Sequence, residues 1–279
     1  MAESKAPYVL VESDGAPAPF VLSIPHCGVD FPDDIREKLD PELIAAPDDT
    51  DWNLDRLYDF ARELGVTTIH ARYSRWVIDL NRVPDGKPLY NDGRVITELC
   101  PTTDFLGNPI YTDPEYEPDA DEKERRLELY YRSYHSKIDQ LISDLRTRYE
   151  NVIFWEGHSI RRLVPSIRSE PFPDLILGDN NGSTASRRII DAAVGALSLG
   201  RYRLNHNDPF RGGYLTRSKG DPDNGVHALQ LEMSKDLYMD EKETVYDKRK
   251  AAVLKAHLRS VFERLIGMLA DGAHASRVQ

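Results

Sequence analysis

Short apolar runs alternate along the chain with longer stretches of helical periodicity. This alternation predicts an α/β fold with a largely parallel or mixed central sheet flanked by helices. Two of the apolar runs end in histidine-bearing turns, which places polar chemistry at strand ends, where ligands gather in such folds. No internal repeat, low-complexity segment or domain-splitting linker interrupts the pattern, so residues 1–279 are expected to form a single domain.

The elements follow in order. Pro19-Phe-Val-Leu-Ser-Ile24 reads as a buried strand opening into the tight turn Pro25-His26-Cys27-Gly28. Over residues 50–64, Trp52, Leu54, Leu57, Tyr58, Phe60, Ala61 and Leu64 recur at helical spacing, with Asp49 or Thr50 as N-cap and Asp51 in the first turn. Strands are expected at 66–70 and 76–80. The stretch over roughly 83–121, rich in Pro, Gly, Asn and Asp, is long for a structureless loop and predicts either a flap over the site or small irregular elements. Residues 122–149 read as one amphipathic helix. Asn151-Val-Ile-Phe-Trp155 is a strand running into Glu156-Gly157-His158-Ser159, and further strands are expected at 174–177, 202–205 and 226–233, with helices near 185–197 and 242–269.

Composition narrows the function. A hydrophobic share of 40% with 30% charged residues is that of an ordinary globular protein. The absence of a long apolar run argues against a membrane span, and the start Met1-Ala2-Glu3-Ser4-Lys5 lacks the apolar stretch of a secretory signal, which points to the cytoplasm. Cys27 and Cys100 are too few for a disulfide framework or a thiolate zinc site, so any metal must be held by nitrogen and oxygen. A net charge of −11 argues against nucleic acid as a partner. It also means that a small dicarboxylate substrate would need a local cluster of arginines.

His26 and His158 in matching strand-end settings suit a metal, since imidazole is a favoured zinc ligand and two convergent strand ends can supply one site. A third, acidic ligand is required, and spacing alone does not separate Asp51 from Asp49 or Glu156. Glu156 and His158 would share a face only if their strand continued through them. Asp79-Leu80-Asn81-Arg82 ends an apolar run with three groups costly to bury unpaired, which either bind a substrate carboxylate or pair with one another. Glu232, near the end of the apolar run Val226-His-Ala-Leu-Gln-Leu-Glu-Met233, is placed either to move protons or to form a salt bridge.

Several long motifs resemble those of N-formylglutamate amidohydrolases. They are Ser23-Ile-Pro-His-Cys-Gly28, Asp49-Thr-Asp-Trp52, Tyr73-Ser-Arg-Trp-Val-Ile-Asp-Leu-Asn-Arg82, His158-Ser-Ile-Arg161, Pro209-Phe-Arg-Gly-Gly-Tyr-Leu-Thr-Arg217 and His227-Ala-Leu-Gln-Leu-Glu-Met233. The resemblance covers nearly the whole chain. It implies hydrolysis of N-formyl-L-glutamate to formate and glutamate, a step of bacterial histidine degradation, on a fold similar to zinc carboxypeptidases and aspartoacylases. It further implies one divalent ion, zinc, held by His26, Asp51 and His158, with Glu232 activating water and Arg75 polarising the scissile carbonyl. Asn81 and Arg82, with Arg161 or Arg217, would hold the substrate carboxylates. The zinc carboxypeptidase pattern has a glutamate three residues after the first histidine, where this chain has Val29. Asp49 therefore remains a rival to Asp51, and Asp30 an outsider. Two other readings are hydrolysis of a different N-acyl amino acid or C-terminal peptide bond, and a non-catalytic binding module on the same fold. The number of arginines facing the pocket discriminates the first, and a metal-dependent deformylase assay the second.

Overall fold

The computed structural model describes residues 6–87 and 98–275, with side chains to 270. Its centre is one seven-stranded sheet of order β1-β3-β2-β4-β7-β5-β6. The strands are β1 (Tyr8–Val11), β2 (Phe20–Ile24), β3 (Thr67–Ala71), β4 (Val152–Ile160), β5 (Leu175–Gly178), β6 (Leu204–His206) and β7 (Val226–Ser234). β3, β2, β4 and β7 run parallel through the middle, while β1 joins antiparallel at one side and the parallel pair β5–β6 joins antiparallel to β7 at the other. The sheet is therefore mixed, as the alternation predicted. β1, with four half-buried residues at an edge, was not anticipated.

Period-two alternation assigns the strand residues to the two faces. Phe20, Leu22, Ile24, Ile153, Trp155, Leu229 and Leu231 join one core with the helices α5 (Arg187–Leu197) and α7 (Lys248–Ala275). Phe262 of α7 sits 4.5 Å from Phe20 and 5.4 Å from Trp155 between ring centroids, anchoring that helix to the sheet. Val21, Val152, Phe154 and Ala228 point the other way, toward α4 (Ser133–Arg146). The same alternation carries Glu156 and His158 of β4, and Gln230 and Glu232 of β7, to the α4 side.

Several sequence expectations are corrected. The 50–64 helix is two short pieces, α2 (Leu54–Leu57) and a 3-10 turn (Asp59–Leu64), preceded by Asn53 in the left-handed region at φ 61°. Asp51 lies ahead of the helix because its backbone N–H donates to the carbonyl of His26 at 2.9 Å, pinning it to the turn after β2. The apolar run 76–80 is buried but is not a strand. Val77 N–H bonds back to Ser74, Asp79 N–H reaches Leu99 and the Val77 carbonyl accepts from Arg126, so its backbone is satisfied without a neighbouring strand. The 122–149 helix is divided into α3 (Ala120–Arg126), a π-helical turn (Leu127–Arg132) and α4. β4 does not stop at Trp155 but runs on to Ile160. Two short helices, α1 (Asp33–Arg36) and α6 (Tyr214–Lys219), were not foreseen.

Within the 83–121 stretch, residues 88–97 lie outside the described residues. The rest holds small irregular elements, including a 3-10 turn at Pro114–Tyr116, with Leu99, Cys100, Ile110 and Tyr111 packed into the α4-side core. Among the described residues, no helix is long and apolar enough to cross a membrane.

Acid should destabilise the protein in part through the α4 face. His135 of α4 is buried, stacks on Tyr131 at 4.0 Å between centroids and donates from Nε2 to the Leu80 carbonyl at 2.9 Å. Burial, helped by the nearby Lys219 charge, pushes its pKa from 6.5 down to about 4. Between those values the unfolded chain takes up a proton that the folded protein refuses, so stability is full above pH 6.5 and declines as the pH falls. Denaturant unfolding of His135→Gln is expected to lose about 2 kcal/mol less than the unsubstituted protein between about pH 7 and about pH 5. Equal losses in the two proteins would show that His135 does not contribute to the acid limb.

Candidate active site

The site forms where β4 and β7 outrun their neighbour. β2 pairs with β4 as far as Ser23 opposite Glu156, whereas β4 and β7 stay paired through His158 opposite Glu232 and on to Ile160 opposite Ser234. Beyond β2 the chain turns through His26. Gly28 is required in that turn because a Cβ there would stand 2.2 Å from the carbonyl oxygen of Tyr73, so the β2 exit lies directly against the 72–73 backbone.

His26, Asp51 and His158 converge there, each buried, with one potential ligand atom apiece lying within 4.8 Å of the others. Asp51 Oδ2 is 3.1 Å from His158 Nδ1 and 3.9 Å from His26 Nδ1. Donor atoms bonded at about 2.0–2.1 Å to a tetrahedral ion lie about 3.3 Å apart, so the Asp51–His158 pair at 3.1 Å already has that spacing, while the wider separations, all within 4.8 Å, would close by up to about 1.5 Å. Both imidazoles turn Nδ1 inward and give Nε2 to a carboxylate. His26 Nε2 donates to Asp79 Oδ1 at 2.7 Å, and His158 Nε2 donates to Glu156 Oε1 at 2.5 Å. A carboxylate behind each histidine is the arrangement that orients imidazole ligands toward a metal. The donor set and its backing therefore fit a single divalent cation.

Electrostatics separates the two histidines. Burial pushes His26 down to about 4, and Arg75 adds to the effect, so its inward nitrogen carries a free lone pair at neutral pH. Burial opposes the charging of His158 as well, yet Glu156 and Asp51 raise it well above the usual imidazole range. A cation entering the cluster would displace the proton shared between His158 and Asp51.

Asp49, the rival to Asp51, faces elsewhere. Its Oδ2 is 3.9 Å from Arg75 Nε, and neither carboxylate oxygen finds a hydrogen-bond partner among the described residues. Arg75 is buried and donates to Asp79 Oδ2 at 2.6 Å and to the Asp49 carbonyl at 3.3 Å, with its guanidinium 4.9 Å from the Phe105 ring centroid. Asp79 thus links Arg75 to His26, and Arg82 Nη1 stands 3.5 Å from the same carboxylate. Burial works against the ionisation of Asp79, but the two arginines hold it well below the usual carboxylate range.

Glu232 is half-buried on β7 in register with His158, and no hydrogen bond to its carboxylate occurs among the described residues. Burial raises its pKa to about 8, with His158 and Arg75 pulling it down and Asp51 and Glu156 pushing it up. A carboxylate whose pKa is raised toward neutrality beside the buried His158 is suited to proton transfer.

The expected substrate anchors have partners within the protein. Asn81 is buried, with its amide nitrogen donating to Glu156 and its oxygen accepting from Leu215 N–H at 2.8 Å, so its polar groups already serve the wall of the site. Gly213 allows that approach, since a Cβ there would stand 2.2 Å from Asn81 Nδ2. Arg161, just past His158, is ion-paired with Asp48. Arg217 on α6 donates from Nε to the Gly212 carbonyl at 2.9 Å. Sequence reasoning missed Asp79 as the partner of His26, and it missed the buried Lys235, whose Nζ donates to the Asp48 carbonyl at 3.1 Å beside the Asp49–Asp51 turn. The polar end of an apolar run was the only signal for either.

A mixed sheet with imidazoles, carboxylates and a buried guanidinium gathered at the carboxyl ends of its parallel strands defines an α/β enzyme built for hydrolysis. The chain belongs to the N-formylglutamate amidohydrolase family, whose model matches residues 18–239. It is 38% identical to an N-formylglutamate deformylase of Pseudomonas putida over 81% of this chain and 83% of the relative. A deformylase of the same name from Pseudomonas aeruginosa is 37% identical over 89% of this chain and 92% of the relative. The crystal structure of an N-formylglutamate amidohydrolase from Ralstonia eutropha JMP134 superposes with a TM-score of 0.82 at 26% identity, covering 96% of this chain and 99% of that one.

Proposed function

We propose that the chain hydrolyses N-formyl-L-glutamate to formate and L-glutamate in the cytoplasm, as a step of histidine degradation, using one zinc ion held by His26, Asp51 and His158. The observation that carries the reading is the convergence of two inward Nδ1 atoms and one carboxylate oxygen, each histidine backed by its own carboxylate. The relatives named as deformylases supply the substrate. Bound there, zinc supplies Lewis-acid polarisation of the formyl oxygen and makes water a stronger acid.

The rest is done by side chains. Glu232 takes a proton from water as the water oxygen attacks the formyl carbon, then returns it to the amine nitrogen as the C–N bond breaks. Arg75, preorganised by Asp79 and Asp49, faces the oxyanion that develops on the formyl oxygen. Arg82, Arg161 and Arg217 are the candidates for holding the two carboxylates of the glutamate moiety, by bidentate or point-charge pairing. Asn81 enters this scheme through Glu156 and the start of α6, to which its amide is already bonded.

The test is formate release from N-formyl-L-glutamate by protein stripped with a chelator and then reloaded. Activity should vanish on stripping and return with about one equivalent of zinc. Undiminished turnover by protein shown to be metal-free would overturn the metal part of the reading. A metal-replete protein inert toward this substrate would overturn the rest.

A further inference from the structure

Glu156 is buried in the middle of β4, and the water-activating chemistry above makes no use of it. All of its acceptor capacity is nonetheless committed. Oε1 accepts from His158 Nε2 at 2.5 Å and from Asn81 Nδ2. Oε2 accepts from the Thr216 backbone N–H at 2.9 Å and from the Thr216 hydroxyl. A carboxylate offers about four lone-pair sites, so four donors leave it no freedom to turn.

The consequence falls on His158. A neutral imidazole carries its proton on one nitrogen, chosen by the partners of the ring. Two groups compete at His158 Nε2, since the Asn81 amide nitrogen lies 3.2 Å away as well. That amide cannot reverse, because its oxygen accepts from Leu215 N–H. Asn81 acting alone would present a donor to Nε2 and drive the proton to Nδ1, the nitrogen that faces Asp51. Glu156 can only accept, so it holds the proton on Nε2, and once a cation displaces the proton that Nδ1 shares with Asp51 it is the Nδ1 lone pair that points into the cluster.

We propose that Glu156 is a positioning residue that fixes His158 as an Nδ1 donor, and that Asn81 and Thr216 enable this by occupying its remaining lone pairs. The inference rests on the reading of His26, Asp51 and His158 as a metal site. It also ties the ligand geometry to the first turn of α6, whose Leu215 and Thr216 N–H groups are both consumed by this network.

The experiment measures zinc affinity of the stripped protein by competition with a chromogenic chelator, without reference to turnover. Glu156→Gln has one carbonyl oxygen for two sets of donors, so its amide must meet either His158 or Thr216 wrongly, and affinity should fall by roughly 10- to 100-fold. Thr216→Val, which keeps the shape and removes one donor, should weaken binding roughly fivefold. NMR of cadmium-loaded, histidine-labelled protein should show metal coupling to Nδ1 of His158, lost or moved to Nε2 in Glu156→Gln. A folded Glu156→Gln protein with unchanged affinity and unchanged Nδ1 coupling would overturn the proposal. If that variant does not fold, unchanged affinity in Thr216→Val does so instead. His158→Ala is the control: if it binds zinc as tightly as the parent, the metal-site reading itself has failed.

Discussion

Glu232→Gln is expected to lower kcat by roughly 10²–10⁴-fold while leaving zinc content and KM nearly unchanged. The glutamine keeps the size of the side chain at a half-buried position of β7 beside His158 but can neither take nor return a proton. The pH profile carries the sign. Glu232 works as the carboxylate, so kcat/KM in the parent should fall as the pH drops through its pKa. Burial places that value near 8 in the metal-free site. A cation among His26, Asp51 and His158 favours the charged carboxylate and moves the limb to lower pH. The limb should be absent from the residual activity of the variant. A Glu232→Gln enzyme retaining more than about a tenth of kcat with the same acid limb would assign the proton transfer to another group.

Asp51→Ala is expected to abolish tight zinc binding, weakening it by more than the roughly 100-fold upper range seen when only a backing residue is lost, and activity should fall with it. Among the described residues, Asp51 Oδ2 is the one carboxylate oxygen within 4.0 Å of both histidine Nδ1 atoms. Asp49→Ala is the informative counterpart. Its carboxylate faces Arg75, so zinc affinity should stay within about threefold of the parent while kcat falls through loss of Arg75 alignment. Titration of the two stripped variants with zinc decides between them, and the reverse ranking would make Asp49 the third ligand.

Much of this protein could be read in its residue order. The apolar runs at 19–24, 66–70, 151–155, 174–177, 202–205 and 226–233 all mark strands of the sheet, because continuous burial and β-branched or aromatic composition are local properties. His26 and His158 at the ends of two such runs, and Glu232 near the end of a third, were visible for the same reason. The family motifs added the outline of the chemistry without its geometry.

What tertiary structure alone decided concerns partners distant in the chain. Trp76, Val77, Ile78 and Leu80 are as buried as strand residues, yet burial does not reveal that their backbone bonds go to Ser74, Leu99 and Arg126. Asp51 and Asp49 differ by two positions and are chemically identical. The hydrogen bond from Asp51 N–H to the His26 carbonyl pins Asp51 beside the histidines, while the Asp49 carboxylate lies toward Arg75. The continuation of β4 past Trp155 aligned Glu156 behind His158, and the loop after Ser74 brought Asp79 behind His26. The residue order determined which chemical groups the site would contain and near which strands. Which nitrogen of each histidine faces inward, and which carboxylate joins them, was settled by through-space hydrogen bonds that sequence spacing does not encode.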